Sequence, residues 1–186
     1  MVSVARKTKT EDTSPAPSES NESVPVTAPG SIAFEIPQVV VFRLAEQLHA
    51  LPIECVQEIQ QIVEFTPVPG GSAALVGMID LRGSVVPAID LRALLGMPLL
   101  DYSLDTPMIF FKTHGRLVAL LVDEVEDVVD LPDDCMQPPS NLYDLADRMI
   151  GICKLDQGLT IVLDPDRLVP DAALSSGDPF GGEGLL

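Results

Sequence analysis

The sequence contains an internal repeat, and this repeat limits the folds that the chain can adopt. Residues 42–59 align without a gap on residues 111–128, at an offset of 69 positions. Two further matches follow both copies in the same order: Val76-Gly77-Met78 with Ile150-Gly151-Ile152, and Ile89-Asp90 with Leu163-Asp164. Neither copy has enough aliphatic residues for a large core of its own. The repeat therefore predicts two small, similar subdomains that pack side by side and share a core.

The local pattern within each copy is typical of β-structure. Short runs of Val, Ile and Leu alternate with turn residues, and their lengths suit strands better than helices. The predicted strands cover 39–44, 48–53, 74–81, 84–89, 107–112, 116–122, 148–155 and 158–163. Two short helical turns are also expected. Asp90 is a helix cap with Gly96 at the far end, and Asp164 is a cap followed by Pro165 at the first helical position.

Composition divides the chain into three parts. The first 30 residues are rich in Ser, Thr, Pro and Glu, so they cannot bury enough apolar surface to offset their loss of entropy on ordering. We expect a disordered arm over 1–36, a folded domain over 37–170 and a glycine-rich disordered tail over 171–186. The domain itself carries 20 acidic and 8 basic side chains, so most of the negative charge belongs to it.

The net charge excludes several kinds of partner. With 11 basic and 28 acidic side chains, the chain has a formal charge of -17. Such a surface repels nucleic-acid phosphates and anionic lipid headgroups, which bind through Lys and Arg. No apolar run approaches the ~20 residues of a membrane helix, and no secretory signal is visible. We therefore expect a cytoplasmic protein that neither binds nucleic acid nor inserts into a membrane.

No motif in the sequence indicates catalysis, a cofactor or a metal. Cys55, Cys135 and Cys153 are widely spaced and odd in number, which indicates three reduced thiols rather than a disulfide or a zinc site. His49 and His114 each stand alone. The acidic stretch over 123–134 lacks the spacing of a calcium loop. Its valines, Val122, Val125, Val128 and Val129, instead suggest a strand with one buried and one solvated face.

One stretch resembles a known family closely. Residues 75–92 read Leu-Val-Gly-Met-Ile-Asp-Leu-Arg-Gly-Ser-Val-Val-Pro-Ala-Ile-Asp-Leu-Arg. This is similar to the pattern of the CheW-like family, which begins with an apolar residue and continues as x-G-x-x-N-L-R-G-x-x-x-P-x-x-D-L-R. Weaker similarities fall in the right order at 56–59, 121–125, 150–151 and 163–164. One departure is Asp80, which stands where the family often has Asn and adds a charge near Arg82.

The resemblance implies both a fold and a role. CheW-like domains are mainly β and consist of two five-stranded SH3-like barrels side by side, with short helical turns. They have no catalytic activity. They join the cytoplasmic tip of a chemoreceptor to the regulatory domain of a CheA-type histidine kinase within a receptor array. By the same resemblance, the helical receptor tip lies in the groove between the two barrels.

Four residues form the predicted partner-binding site: Val56, Glu58, Arg82 and Gly83. A groove that holds a helical hairpin needs aliphatic contacts and fixed polar anchors, and Val56 offers the former. The Arg82 guanidinium is expected to pair with Glu58, whose family counterparts are associated with receptor and kinase coupling. Gly83 is expected to be a turn glycine with positive φ. The kinase contact is expected on the second copy, at about 108–130.

Other functions stay open on the sequence. A CheW-like adaptor can serve a pilus pathway or another chemosensory output, and nothing in the residues separates these. A small-molecule-binding β domain would need a concave pocket with convergent polar groups. An enzyme built on a β-barrel is a third alternative, because a fold by itself does not exclude activity.

Overall fold

The structure, a computed structural model, describes residues 36–139 and 145–170, and these contain eleven strands and two short α-helices. Nearly all of the predicted arm, all of the tail and the segment 140–144 lie outside the described residues. The strands are β1 Gln38–Leu44, β2 Gln47–Pro52, β3 Val56–Gln61, β4 Leu75–Leu81, β5 Ser84–Asp90, β6 Pro107–Thr113, β7 Arg116–Leu121, β8 Glu124–Asp130, β9 Met136–Gln137, β10 Met149–Leu155 and β11 Gly158–Leu163. Helix α1 is Leu91–Leu94, α2 is Pro165–Leu168, and 3-10 turns cover Ile53–Cys55 and Ala146–Arg148.

The mainly β fold with short helical turns is confirmed, and the repeat is structural as well as sequential. Strands β1, β2 and β3 are equivalent to β6, β7 and β8 at the offset of 69. Strands β4 and β5 with α1 are equivalent to β10 and β11 with α2. The irregularities repeat too, since a β-bulge at Gln57 in β3 has its equivalent at Glu126 in β8. Bulges of this kind bend a strand, and here they lie at equivalent positions of the two sheets.

The two sheets do not coincide with the two copies of the repeat. One sheet has the strand order β3-β6-β7-β5-β4, and we call it the five-stranded barrel. The other has the order β8-β1-β2-β11-β10-β9, and we call it the six-stranded barrel. The five-stranded barrel combines β3, β4 and β5 of the first copy with β6 and β7 of the second, and the six-stranded barrel combines β1 and β2 of the first copy with β8 to β11 of the second. Neither copy can therefore form a closed barrel alone.

Both barrels are closed at a glycine. In the five-stranded barrel, Thr66 and Met78 exchange two backbone hydrogen bonds of 2.8 Å, and the neighbouring Gly77 faces the crossing chain. A Cβ on Gly77 would lie 2.6 Å from the Thr66 carbonyl oxygen. In the six-stranded barrel, Gln137 of β9 pairs with Ile152, and a Cβ on Gly151 would lie 2.5 Å from the Gln137 oxygen. The two glycines of the repeat are thus required by close backbone approach.

Three apolar clusters hold the described part of the chain together. The first fills the space between the barrels and includes Phe42 and Leu51 from the six-stranded barrel with Phe111 and Leu120 from the five-stranded one. Both helices contribute to this shared cluster, through Leu91 and Leu168. Each barrel also has a smaller cluster of seven buried residues inside it. The shared core predicted from the repeat is therefore present, because the barrels bury their facing sheets against one another.

The two helix caps have the predicted geometry. The Asp90 carboxylate accepts the Ala93 N–H at 3.0 Å, and Gly96 has a φ of +68° just past the end of α1. The Asp164 carboxylate accepts the N–H groups of Asp166 and Arg167 at 3.0 and 3.3 Å, with Pro165 at the first helical position. These aspartates accordingly satisfy otherwise unpaired amides at the helix starts.

Two expectations from the sequence are wrong. Cys135 and Cys153 form a disulfide rather than remaining thiols, because β9 and β10 bring residues 18 positions apart side by side. Val128 is 45% exposed, so the valines of the acidic stretch do not form one buried face. That stretch is an edge strand, β8, and its alternation is interrupted by the bulge at Glu126.

Candidate functional site

The candidate site centres on the hairpin between β4 and β5. Its two turn residues, Arg82 and Gly83, have φ values of +51° and +86°, which is the pattern of a type I′ turn. The Asp80 carboxylate accepts the Gly83 N–H at 2.7 Å and so holds the turn from one side. The prediction of positive φ at Gly83 is confirmed. The left-handed backbone at Arg82 is uncommon for a residue with a side chain.

The Arg82 side chain pairs with Glu58 as the sequence predicts. Arg82 Nη2 donates to Glu58 Oε2 at 2.8 Å, across from the turn to β3. The Arg82 side chain is 81% exposed, while that of Glu58 is 26% exposed. An ion pair with one partner this exposed contributes only about 0–1 kcal/mol to stability. The pair therefore orients a guanidinium at the surface more than it stabilises the barrel.

Val56 lies where the chain passes from one barrel to the other. Strand β2 belongs to the six-stranded barrel, the 3-10 turn Ile53–Cys55 follows, and Val56 begins β3 in the five-stranded barrel. Val56 is half-buried and packs against the shared cluster. Val56 and Glu58 are both half-buried, whereas Gln57 between them is exposed. The structure thus brings Glu58, Arg82 and Gly83 together and places Val56 beside them along β3.

A second set of surface residues was missed by the sequence prediction. Large apolar side chains are exposed at equivalent positions of the two barrels. Ile59 of β3 is equivalent to Val128 of β8, and Val85 of β5 is equivalent to Leu159 of β11. Their exposed fractions are 40%, 45%, 74% and 54%, respectively. The alignment of the repeat matches Ile59 with Val128, but burial could not be deduced from it.

A charged pair also joins the two barrels. Arg92 of α1 donates to both carboxylate oxygens of Asp123, at 2.7 and 2.5 Å, and the Ala45 N–H donates to the same carboxylate at 2.6 Å. Burial alone would raise the pKa of Asp123, but the hydrogen bonds from Arg92 and Ala45 outweigh it and lower the pKa. The hydrogen bond to Asp123 likewise raises the pKa of Arg92. Asp123 is therefore held as a carboxylate.

A small cavity adjoins this pair. It has a volume of about 190 Å³, and its lining includes Asp90, Tyr102 and Asp123. The Tyr102 hydroxyl donates to Asp90 at 2.6 Å, and burial together with this bond raises the pKa of Tyr102. Pockets for drug-sized ligands usually measure ~300–1,000 Å³, so this cavity gives little support to a small-molecule site. No cluster of three or more potential metal ligands occurs among the residues that the structure describes.

Comparison with known proteins decides the family. The family model described as the CheW-like domain matches residues 38–173, most of the chain. The chain belongs to the CheW-like family. A probable chemotaxis protein CheW from Rhizobium etli is 31% identical over 133 residues, which are 70% of this chain and 86% of the relative. The chemotaxis protein CheW of Thermotoga maritima is 25% identical over 140 residues, which are 75% and 92% of the two chains.

A solved structure agrees with the family assignment. The crystal structure of the scaffolding protein TtCheW from Thermoanaerobacter tengcongensis has a TM-score of 0.67 and 30% sequence identity. The match covers 72% of this chain and 92% of TtCheW. These similarities confirm the predicted family and the SH3-like two-barrel fold, and they support an adaptor role of the CheW type. In the described part of the chain, helices are too short and too polar to span a bilayer.

Proposed function

We propose that this protein couples the cytoplasmic tip of a chemoreceptor to a CheA-type histidine kinase in a signalling array. The family assignment and the chemotaxis and scaffolding names of its relatives support this role. The protein acts in the cytoplasm through binding alone, without a catalytic activity or a cofactor of its own. The site that carries the proposal consists of Val56, Glu58, Arg82 and Gly83.

The observation that favours this site is the exposed but oriented guanidinium of Arg82. A type I′ turn fixes the backbone of Arg82, and Glu58 fixes one end of its side chain. Rigid presentation reduces the entropy that a side chain loses when it binds a partner. The other guanidinium N–H groups stay available for an acidic receptor tip, since Arg carries five donors in a planar fork. Half-buried Val56 supplies the apolar contact at the junction of the barrels.

The kinase contact is proposed at exposed apolar residues of the six-stranded barrel. Val128 lies on β8, within the 108–130 region, and among the described strands β8 is an edge strand whose one partner is β1. Exposed apolar side chains beside an edge strand suit packing against another small barrel. The acidic neighbours Glu124, Asp127 and Asp130 surround Val128 along the strand. These charges disfavour non-specific strand pairing and select a complementary partner.

The sharpest test is the charge reversal Arg82→Glu. The variant places a carboxylate opposite Glu58 and removes the cation from the proposed receptor site. We expect receptor control of kinase activity to be lost. The circular dichroism spectrum should stay the same, and the unfolding free energy should change by no more than about 1 kcal/mol. Adding Glu58→Arg should recover part of the control, because it restores a pair of opposite charge.

A matched control is available on the other barrel. Lys154 is equivalent to Asp80 and is exposed, so Lys154→Glu makes the same change in net charge at the equivalent hairpin. This control should keep receptor control intact. Calorimetry with the kinase regulatory domain separates a failure at the receptor from a failure at the kinase. Normal coupling by the Arg82→Glu variant would contradict the proposed site, and an unfolded variant would make Arg82 a structural residue.

A further inference from the structure

A covalent link closes one barrel but not the other. Cys135 lies just before β9, and Cys153 lies on β10, where it pairs with Met136 of β9. Their Cα atoms are 5.2 Å apart and a disulfide joins them. That separation is within the ~4.4–6.8 Å range in which two cysteines can bond without moving the backbone. The disulfide thus ties the closing strand of the six-stranded barrel to its neighbour.

The equivalent place in the five-stranded barrel has no such link. Alignment of the two closing segments matches Cys135 with Glu64 and Cys153 with Ile79. There, Thr66 and Met78 close the barrel through two backbone hydrogen bonds only. A barrel of this design therefore closes without a disulfide. The bond in the six-stranded barrel is an addition to a fold that does not need it.

The three cysteines differ in their access to reagents. Cys153 is fully buried inside the six-stranded barrel, whereas Cys135 is half-buried at its edge. Cys55 is remote from both in sequence, and its thiol donates to the Pro52 carbonyl oxygen at 2.9 Å. Burial raises the pKa of Cys55 to about 12, which keeps it protonated and unreactive. Of the three, Cys135 is the thiol that a reagent can reach next to a partner thiol.

We propose that Cys135 and Cys153 form a reversible redox cross-link that fastens β9 to β10. The oxidant is a low-molecular-weight disulfide such as oxidised glutathione. The Cys135 thiolate attacks it, forms a mixed disulfide and releases one small thiolate. The Cys153 thiolate then attacks the Cys135 sulfur and releases the second small thiolate. The two protein thiols lose two electrons and two protons, and the small disulfide becomes two thiols.

The proposal does not depend on receptor or kinase binding, but it rests on the cytoplasmic location proposed above. When the link is reduced, β9 is held to β10 by two residue pairs, Gln137 with Ile152 and Met136 with Cys153. The link closes a loop of 18 positions, and constraining a loop of that size stabilises the folded state relative to the unfolded chain. In a cytoplasmic protein, disulfides are usually transient or redox-sensing rather than permanent. The edge of the six-stranded barrel is consequently firmer in the oxidised protein than in the reduced one.

The test uses the full chain with two matched variants, Cys135→Ser and Cys55→Ser. Each protein is treated with oxidised glutathione or with dithiothreitol and then denatured in the presence of N-ethylmaleimide, which alkylates free thiols. Mass spectrometry then counts the maleimides that each chain carries. The wild type should take up one maleimide after oxidation and three after reduction. Peptide mapping should then find residues 135 and 153 joined. The Cys55→Ser variant should take up no maleimide after oxidation and two after reduction. The Cys135→Ser variant should take up two maleimides under both conditions.

Thermal unfolding measures the effect on the barrel. Oxidation should raise the Tm of the wild type and of Cys55→Ser by roughly 5–15 °C, and it should leave Cys135→Ser unchanged. Uptake of three maleimides after oxidation, or a link through Cys55, would overturn the assignment. A link without a Tm shift would overturn the fastening role. A link that dithiothreitol reduces only after the protein unfolds would overturn its reversibility.

Discussion

The two barrels share a plan but differ at their surfaces. Both have a bulged edge strand, a closing glycine and a capped helical turn at equivalent positions. The hairpins that face the edge strands differ, however. The five-stranded barrel has Arg82 in its turn, paired with Glu58. The six-stranded barrel has Asp156 and Gln157 in its turn, and Asp127 takes the place of Glu58. The closing glycines, present in both barrels, therefore serve closure, whereas the ion pair at the hairpin, present in a single barrel, is a candidate for function.

The contacts between the barrels show a second difference. The turns after β1 and β6 begin with equivalent residues of positive φ, Ala45 and His114. The Ala45 N–H donates to Asp123, which Arg92 of α1 holds in place. The His114 N–H donates directly to Asp166 of α2 at 2.7 Å. Arg92 and Asp166 occupy equivalent helix positions. Arg92 holds Asp123 as the acceptor for the Ala45 N–H, whereas Asp166 is itself the acceptor for the His114 N–H. The shared requirement is an acceptor for the turn amide.

The largest expected effect concerns the closing glycines. Alanine at Gly77 would meet the Thr66 backbone, which cannot move without losing the pair that closes the barrel. Alanine at Gly151 would meet the Gln137 oxygen in the same way. We expect Gly77→Ala and Gly151→Ala to lose about 2–3 kcal/mol each, measured by chemical denaturation.

Gly71→Ala provides the control for this prediction. A Cβ there would approach the flexible end of Leu75 at 3.0 Å, so the loss should stay below about 1 kcal/mol. A large loss at one closing glycine with none at the other would break the equivalence of the two closures. If Gly151→Ala is tolerated only when the Cys135–Cys153 bond is intact, the disulfide compensates for the weaker closure.

The elements predicted well are those with a buried apolar run. Strands such as β1 and β6 are almost wholly buried, so their sequence carries a strong signal. Strand β3 was not predicted, because it is exposed on alternate residues and rich in Gln. Strand β8 was expected only within the acidic stretch, with a single buried face that it does not have. The sequence also did not show that β1 and β2 lie in one barrel while β3, β4 and β5 of the same copy lie in the other. A repeat shows which strands are equivalent, but it cannot show which copy each one pairs with.

The candidate site was predictable in part. Arg82 and Glu58 were found through the family resemblance, since the type I′ turn and the edge strand that bring them together are distant in sequence. The prediction of three reduced thiols was wrong, because cysteine spacing does not reveal that β9 pairs with β10. The exposed apolar residues were missed because valine or leucine in a strand is usually buried. Surface exposure at Val85 or Leu159 depends on the complete packing of the barrel.

An intermediate effect is expected at His49, whose equivalent is Val118. His49 is buried and stacks on Phe42 with ring centroids 5.9 Å apart. Burial lowers the pKa of His49 from its ordinary value of 6.5. The unfolded chain therefore takes up a proton more readily than the folded one, so this residue makes the protein less stable as the pH falls below 6.5. A single group contributes at most about 1.4 kcal/mol per pH unit.

The variant His49→Val copies the other barrel and should flatten this slope. Unfolding free energies measured between pH 7 and pH 5 should fall less steeply in the variant than in the wild type. His114→Asn controls for the loss of a histidine, because Asn tolerates the positive φ of that turn. An unchanged slope in His49→Val would assign the acid sensitivity to the carboxylates instead.

The smallest effect is expected from Asp80→Asn. Asp80 accepts the Gly83 N–H, and an amide oxygen accepts the same hydrogen bond, so stability should change by less than about 0.5 kcal/mol. The six-stranded barrel has Lys154 at the equivalent position, but its turn residues Asp156 and Gln157 lack the positive φ of Arg82 and Gly83, so the acceptor at residue 80 belongs to the turn of the five-stranded barrel. What Asn does change is the charge beside Arg82. With one carboxylate fewer near the guanidinium, the proposed site becomes less negative, and an acidic receptor tip should bind at least as tightly as before.

Asp80→Ala is the matched variant, because it removes the charge and the hydrogen bond together and should lose up to about 1 kcal/mol. Receptor titration and chemical denaturation of both variants separate the two roles of Asp80. If Asn weakens receptor binding as much as Ala does, the carboxylate itself takes part in recognition, and the site is not the purely cationic anchor that Arg82 suggests.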